Sequence, residues 1–154
     1  MEFQQEQIRL QQKQNWNRFS PGWKKWDQLV MKFMKPIADI IIDHLEIQET
    51  DTVLDIAAGT GEPGLTIAAL ATKGRVTGTD LSEEMLSTAD EKAKGLGLNN
   101  YNTLVADVCE LPFGNDTFNK VSCRMGFMFF PDMQLAANEM YRVLKPGGKL
   151  AISV

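Results

Sequence analysis

The sequence predicts a single α/β domain built on a parallel β-sheet, and three observations predict it. From residue 52 onward, short β-prone runs alternate with helical segments, the pattern of strands joined by right-handed crossovers. A glycine-rich stretch, Val53 to Gly64 (VLDIAAGTGEPG), lies where the first strand turns into a helix. The chain has 154 residues, enough for one core that buries about 68–70% of the unfolded surface but short for two domains.

Residues 1–15 are Gln-rich and polar, without a clear apolar stripe, and read as a loosely helical lead-in. Ser20-Pro21 announces a helix, Ser as N-cap and Pro in the first turn. Trp23, Trp26, Val30 and Phe33 follow at helical spacing, with Lys24, Lys25 and Lys32 largely off that line. A second helix over 36–45 places Ile37, Ile40, Ile41 and Leu45 on one face. Strands are expected at 52–56, 76–79, 102–105, 120–123 and 149–153, and helices at 64–72, 83–94 and 133–144. Gly95 and Gly97 close the helix over 83–94, and Pro146-Gly147-Gly148 turns the chain into the last strand.

The chemistry begins at the glycine stretch. Gly59, Gly61 and Gly64 match G-x-G-x-x-G, in which backbone without Cβ atoms approaches a ligand at a helix N-terminus. Asp55 and Glu62 are anionic, whereas a pyrophosphate would need unopposed N–H groups, so a ligand with a cationic amino-acid end suits the loop. S-adenosylmethionine is such a ligand. Asp80 ends the second strand and is placed to accept from both ribose hydroxyls. Leu81 follows, then Ser82 as N-cap with Glu83 and Glu84 in the first turn. Asp107, after the third strand, is placed to accept from an adenine amino group.

These residues carry a resemblance. Val53-Leu54-Asp55 with Gly59-Thr60-Gly61, Asp80-Leu81-Ser82 with Met85-Leu86 and Ala89, Ala106-Asp107 with Leu111-Pro112-Phe113, and Arg142 to Gly148 (RVLKPGG) occur in one order. In that order the chain resembles the class I S-adenosylmethionine-dependent methyltransferases, most of all the small-molecule group that includes ubiquinone and menaquinone C-methyltransferases. The resemblance covers about two-thirds of the chain and implies a Rossmann-like sheet of order 3-2-1-4-5. It implies cofactor contacts from Asp55, Ala57, Gly59, Gly61, Asp80, Leu81, Met85, Asp107 and Val108. Two positions depart: Ala57 stands where the family has its first loop glycine, and Phe118-Asn119 where Phe-Asp is usual. The resemblance implies two further strands beyond Val154, so the domain over 47–154 is expected to be either a C-terminally truncated fragment, the favoured reading, or an unusually short protein, preceded by a helical segment over 1–46 that is not a separate domain.

Composition bounds the partners. The net charge is −4, so no nucleic-acid partner is expected. Residues 1–46 hold seven Lys/Arg and six Asp/Glu, residues 47–154 nine and fourteen, so the acidic part contains the proposed cofactor site. Cys109 and Cys123 form no C-x-x-C pair and read as buried thiols, and no metal site is expected. The amino terminus lacks the apolar core of a signal peptide, and no run is long enough to span a membrane, which places the protein in the cytoplasm. His44, the sole histidine, reads as complementing a helix C-terminus, so no catalytic base is assigned.

The expected function is methyl transfer to a small, apolar acceptor by in-line displacement, with Met125 to Phe130 near the transferable methyl. Trp16, Trp23 and Trp26 read either as packing or as a lid over cofactor and acceptor. The basic, aromatic helix also suits peripheral contact with a membrane, and an unpaired last strand suits self-association. Three alternatives stand beside this reading: a non-catalytic cofactor-binding or scaffold protein, a nicotinamide dehydrogenase, and a methyltransferase acting on a macromolecule.

Overall fold

Alternating apolar residues along the first strand point to opposite faces of the sheet, and this divides the core in two. A computed structural model describes residues 2–154. It contains the parallel strands β1 (Thr52–Ile56), β2 (Arg75–Asp80), β3 (Tyr101–Val105), β4 (Phe118–Arg124) and β5 (Leu144–Ser153), in the order β3-β2-β1-β4-β5. Leu54 and Ile56 pack with Phe118, Val121, Met140 and Val143 under helix α4 (Met133–Val143). Val53 packs with Leu45, Leu65, Ile67, Val76 and Ala89 on the other face. That face is covered by the end of α1 (Glu2–Leu45), by α2 (Gly64–Leu70) and by α3 (Glu83–Gly95).

Helix ends follow the local chemistry. Ser82 accepts from Met85 N at 3.1 Å, and Glu83 and Glu84 occupy the first turn of α3 while Lys92 and Lys94 occupy its last. Asp132 caps α4 in the same way, accepting from Leu135 N at 2.9 Å. Asn119, where the resembled family has an acid, accepts from Thr52 N at 2.9 Å and so ties the start of β1 to β4.

Three expectations are corrected. β5 begins at Leu144, not after the glycines: Leu144 pairs with Phe118, residues 145–148 bulge, and pairing resumes at Lys149 with Lys120. Gly147 (φ 76°) makes that bulge possible. The amino-terminal segment is one helix, not a lead-in and two helices. It runs through Pro21 and Pro36, and Ser20 is buried inside it instead of capping it. Each proline removes one helical hydrogen bond, and side-chain contacts along the inner face of α1 offset that loss. The aromatic stripe is also split: Trp23 and Val30 turn inward, whereas Trp26 and Phe33 are exposed, and Ile40 is exposed while Ile41 and Leu45 are buried.

Leu45 is fully buried at the end of α1 and pins that helix to the sheet. Leu45→Ala is expected to lower the unfolding free energy by about 2–5 kcal/mol in a urea titration. Ile40→Ala, at an exposed position of the same helix, should change it by less than about 0.5 kcal/mol.

Candidate functional site

Ligands of open parallel sheets bind beyond the carboxyl ends of the strands, and the chain has a cavity of about 300 Å³ there. Its floor is the loop after β1, in which Ala57 (φ 53°), Gly59 (φ 53°) and Gly61 (φ 110°) are all left-handed. Ala57 bears a Cβ in a conformation that favours glycine, and its methyl occupies space left by Gly126, where a Cβ would lie 2.5 Å from it. Gly64 also allows a close approach within the turn: a Cβ there would stand 2.7 Å from Asp55 Oδ2.

Of the residues expected to hold the cofactor, Ala57, Gly59, Asp80, Leu81, Met85, Asp107 and Val108 line this cavity, and Asp55 and Gly61 do not. Asp55 is fully buried beneath the loop, where Oδ2 accepts from Gly64 N at 3.0 Å and Oδ1 from Ser122 Oγ at 2.7 Å. Glu62 is likewise outside the cavity and accepts from Thr66 N and Thr66 Oγ1 at the start of α2. The two acids that suggested a cationic ligand therefore act as fasteners of the turn. Asp80 does border the cavity, accepting from Gly59 N at 3.0 Å and from Ser82 N at 2.9 Å. Lone pairs remain on its oxygens for further donors. Burial raises its pKa, partly opposed by those backbone donors.

Helix α1 roofs the cavity with Gln12, Trp16, Trp23 and Met34. Trp16 stands edge-on to Phe129 at 5.3 Å and 6.3 Å from Trp23. Polar contacts hold the roof: Asn17 Oδ1 accepts from Ser82 Oγ at 2.6 Å, and Asp27 accepts from Thr60 Oγ1 at 2.7 Å and pairs with Lys92 at 2.8 Å. Arg9 Nε lies 2.7 Å from Asp107 Oδ2 as an ion pair, although its N–H is not aimed as a hydrogen bond. Asp107 Oδ1 accepts from Cys109 N at 2.9 Å. Sequence reasoning missed Arg9, Gln12, Asn17 and Asp27. Residues 9, 12, 16, 20, 23, 27, 30, 34, 38, 41 and 45 recur at helical spacing, but the line mixes polar and apolar side chains and so lacks a hydrophobic signature.

Met125, Gly126, Met128, Phe129, Phe130 and Pro131, after β4, form another wall, and Arg124 joins them as the one cation that lines the cavity among the described residues. His44 is exposed near the end of α1, away from this site. Burial pushes the Cys123 thiol up to about 12 and the Cys109 thiol up to about 11, so both stay protonated. Among the described residues, no group of three or more His, Cys, Asp or Glu side chains could hold a metal ion.

This fold and cavity define a class, and residues 53–148 match the family described as Methyltransferase domain. The chain belongs to that family. It is 37% identical over 128 residues to a demethylmenaquinone methyltransferase of Listeria welshimeri, covering 82% of this chain and 50% of the relative. A solved SAM-dependent methyltransferase from Aquifex aeolicus superposes with a TM-score of 0.69 at 28% identity, over 75% of this chain and 62% of that one. The [4+2]-cyclase SpnF superposes with a TM-score of 0.72 at 26% identity, over 76% and 43%. The chain spans about half the length of the curated relatives it matches. Because a cyclase shares the fold, chemistry has to be argued from the site.

Burial pushes the Asp55 carboxyl up to about 7, only partly opposed by Ser122, Arg124 and Gly64. Its folded pKa exceeds its unfolded one, so the protonated form stabilises the fold. That contribution is complete below about pH 4 and is lost as the pH rises through about 7. In urea unfolding between these values, wild type should lose up to about 1.4 kcal/mol per pH unit relative to Asp55→Asn, which has no proton to release. Parallel pH profiles for the two proteins would overturn this account.

Proposed function

We propose that this chain binds S-adenosylmethionine and transfers its methyl group to a small, apolar acceptor. The observation that carries this reading is a cavity bordered by Ala57, Gly59 and Thr60 of the loop after β1 on one side and Asp80 and Asp107 on the other, roofed by tryptophans. Asp80 would take the ribose hydroxyls, Asp107 the adenine amino group, and Leu81, Met85 and Val108 would pack around the adenosine. Ala57 and Gly59 would bring backbone against the amino-acid end, with Asp55 and Gly61 shaping the loop from behind. When bound, the cofactor would supply a methyl group on a sulfonium: the acceptor's nucleophilic atom would bond to that methyl carbon as the carbon–sulfur bond breaks, the electron pair staying on sulfur and the acceptor's proton going to water. The protein's part is alignment and exclusion of water by Trp16, Trp23 and Phe129. A cavity of about 300 Å³ is at the lower limit for one small ligand, so residues 1–46 act as a lid that must lift from the 47–154 domain to admit two.

Isothermal titration calorimetry with S-adenosylhomocysteine tests this reading. Asp80→Ala should weaken binding by about 1–3 kcal/mol. Undiminished binding by the variant, or tighter binding of NAD, would reject it.

Two partners belong to the same proposal. No described helix is long and apolar enough to cross a membrane, yet Phe19, Trp26, Leu29, Phe33 and Ile40 are exposed along the outer face of α1. Arg18, Lys25 and Lys32 run beside them at seven-residue intervals. That combination suits the surface of an anionic bilayer, reached from the cytoplasm, where an apolar acceptor would reside. In flotation assays the protein should rise with phosphatidylglycerol vesicles but not with pure phosphatidylcholine, and Phe33→Glu should abolish the effect. The free edge of β5, where Leu150 and Ile152 are partly exposed, suits pairing between two copies of this chain. Light scattering should find dimers that Leu150→Lys dissociates.

A further inference from the structure

A guanidinium stays charged at every physiological pH, so one that lines a cavity and lacks a partner asks for an anion. Arg124 is such a group. It ends β4, one residue after Cys123, which pairs with Ile56 at the mouth of the loop. Among the described residues its buried Nε has no hydrogen-bond partner, and its Nη2 meets Met31 Sδ, a weak acceptor at 3.4 Å. The acids whose fields reach it are committed elsewhere. Asp55 accepts from Ser122 and Gly64, Glu62 from Thr66, and Asp27 from Thr60 while pairing with Lys92. Methionines and aromatic rings form most of the surrounding wall, where an unpaired charge is costly and an arriving anion is held strongly.

The position of Arg124 says which ligand supplies that anion. The sheet order sets β2 and β3, with Asp80 and Asp107 at their ends, on one side of β1, and β4 with Arg124 on the other. On the reading above, the ribose and adenine lie on the first side, and the sulfonium and ammonium would gain nothing from a neighbouring guanidinium. We propose that Arg124 is the acceptor-positioning residue of this site and that its guanidinium holds an ionised oxygen of the methyl acceptor. This rests on the methyltransferase reading and adds to it a chemical class: the acceptor carries an acidic hydroxyl or carboxyl group, whose proton passes to water as the anion binds.

The cofactor's carboxylate is the other source of an anionic oxygen, and the test separates the two. The probe is 4-nitrophenol, whose phenolate absorbs visible light, titrated into wild type, Arg124→Lys and Arg124→Met in saturating S-adenosylhomocysteine. We expect wild type to bind the phenolate about tenfold more tightly than Arg124→Met and to lower the pH at which the bound probe ionises by about one unit. Arg124→Lys should keep part of that shift. All three proteins should bind S-adenosylhomocysteine within about threefold of one another, which also shows that the variants fold, and should bind 4-nitroanisole, which cannot ionise, alike. If Arg124→Met loses S-adenosylhomocysteine instead, the guanidinium serves the cofactor carboxylate and the proposal fails. It fails too if wild type binds no phenolate or leaves its ionisation unmoved. Loss of S-adenosylhomocysteine binding by wild type itself would reject the methyltransferase reading and not this residue's role alone.

Discussion

The carboxylate of Asp55 is the constraint on which the site depends. It sits at zero exposure between β1, the first turn of α2 and β4, and its two oxygens bind Gly64 N and Ser122 Oγ. A buried carboxyl with one partner missing would be costly, so the glycine turn and β4 have to stay where they are. Gly64 is glycine because a side chain there would strike that carboxylate. The alternate left-handed residues Ala57, Gly59 and Gly61 then follow as the path that returns the chain over the sheet, with Ala57, Gly59 and Thr60 facing the cavity. Asp55 thus works from beneath the loop, as a brace.

A second layer of polar contacts places a roof over the cleft at the carboxyl ends of the strands. Helix α1 contributes little by propensity, since its first third is Gln-rich and two prolines interrupt its hydrogen bonds. It holds its course because Arg9, Asn17 and Asp27 each meet a partner on a different loop, opposite Asp107, Ser82 and Thr60. These contacts are partly exposed ion pairs and hydrogen bonds, the class of interaction that yields at modest cost. A roof fastened in this way can part from the loops beneath it more readily than one held by buried apolar packing.

Charge is distributed unevenly within the chamber. Asp80 and Asp107 lie at the ends of β2 and β3, and Arg124 at the end of β4, with methionine and aromatic side chains between. Separation of like functions onto opposite sides of β1 gives the cavity a polarity that the net charge of −4 does not convey. It also explains how one short stretch, from Arg124 to Pro131, can both close the apolar wall and carry the cation.

The amino-acid sequence by itself determined the sheet and its helices from residue 52 on, because their signals are local: period-two strands, glycines at the turns, and Ser82 as a cap. Motif order sufficed for the family and for placing Asp80 and Asp107 at strand ends, since a strand's carboxyl end is a property of the chain direction. Three features lay beyond local signals. The continuity of α1 through Pro21 and Pro36 depends on partners 33 to 98 residues away, as in Asp27–Thr60 and Arg9–Asp107. The inward turn of Asp55 and Glu62 depends on which backbone N–H groups each can reach, a matter of packing within a few ångströms. The bulge that starts β5 at Leu144 depends on pairing with Phe118 across the sheet. Sequence periodicity records which face of an element is apolar, but only the tertiary structure decides which polar groups are left to bind one another and which, like Arg124, are left for a ligand.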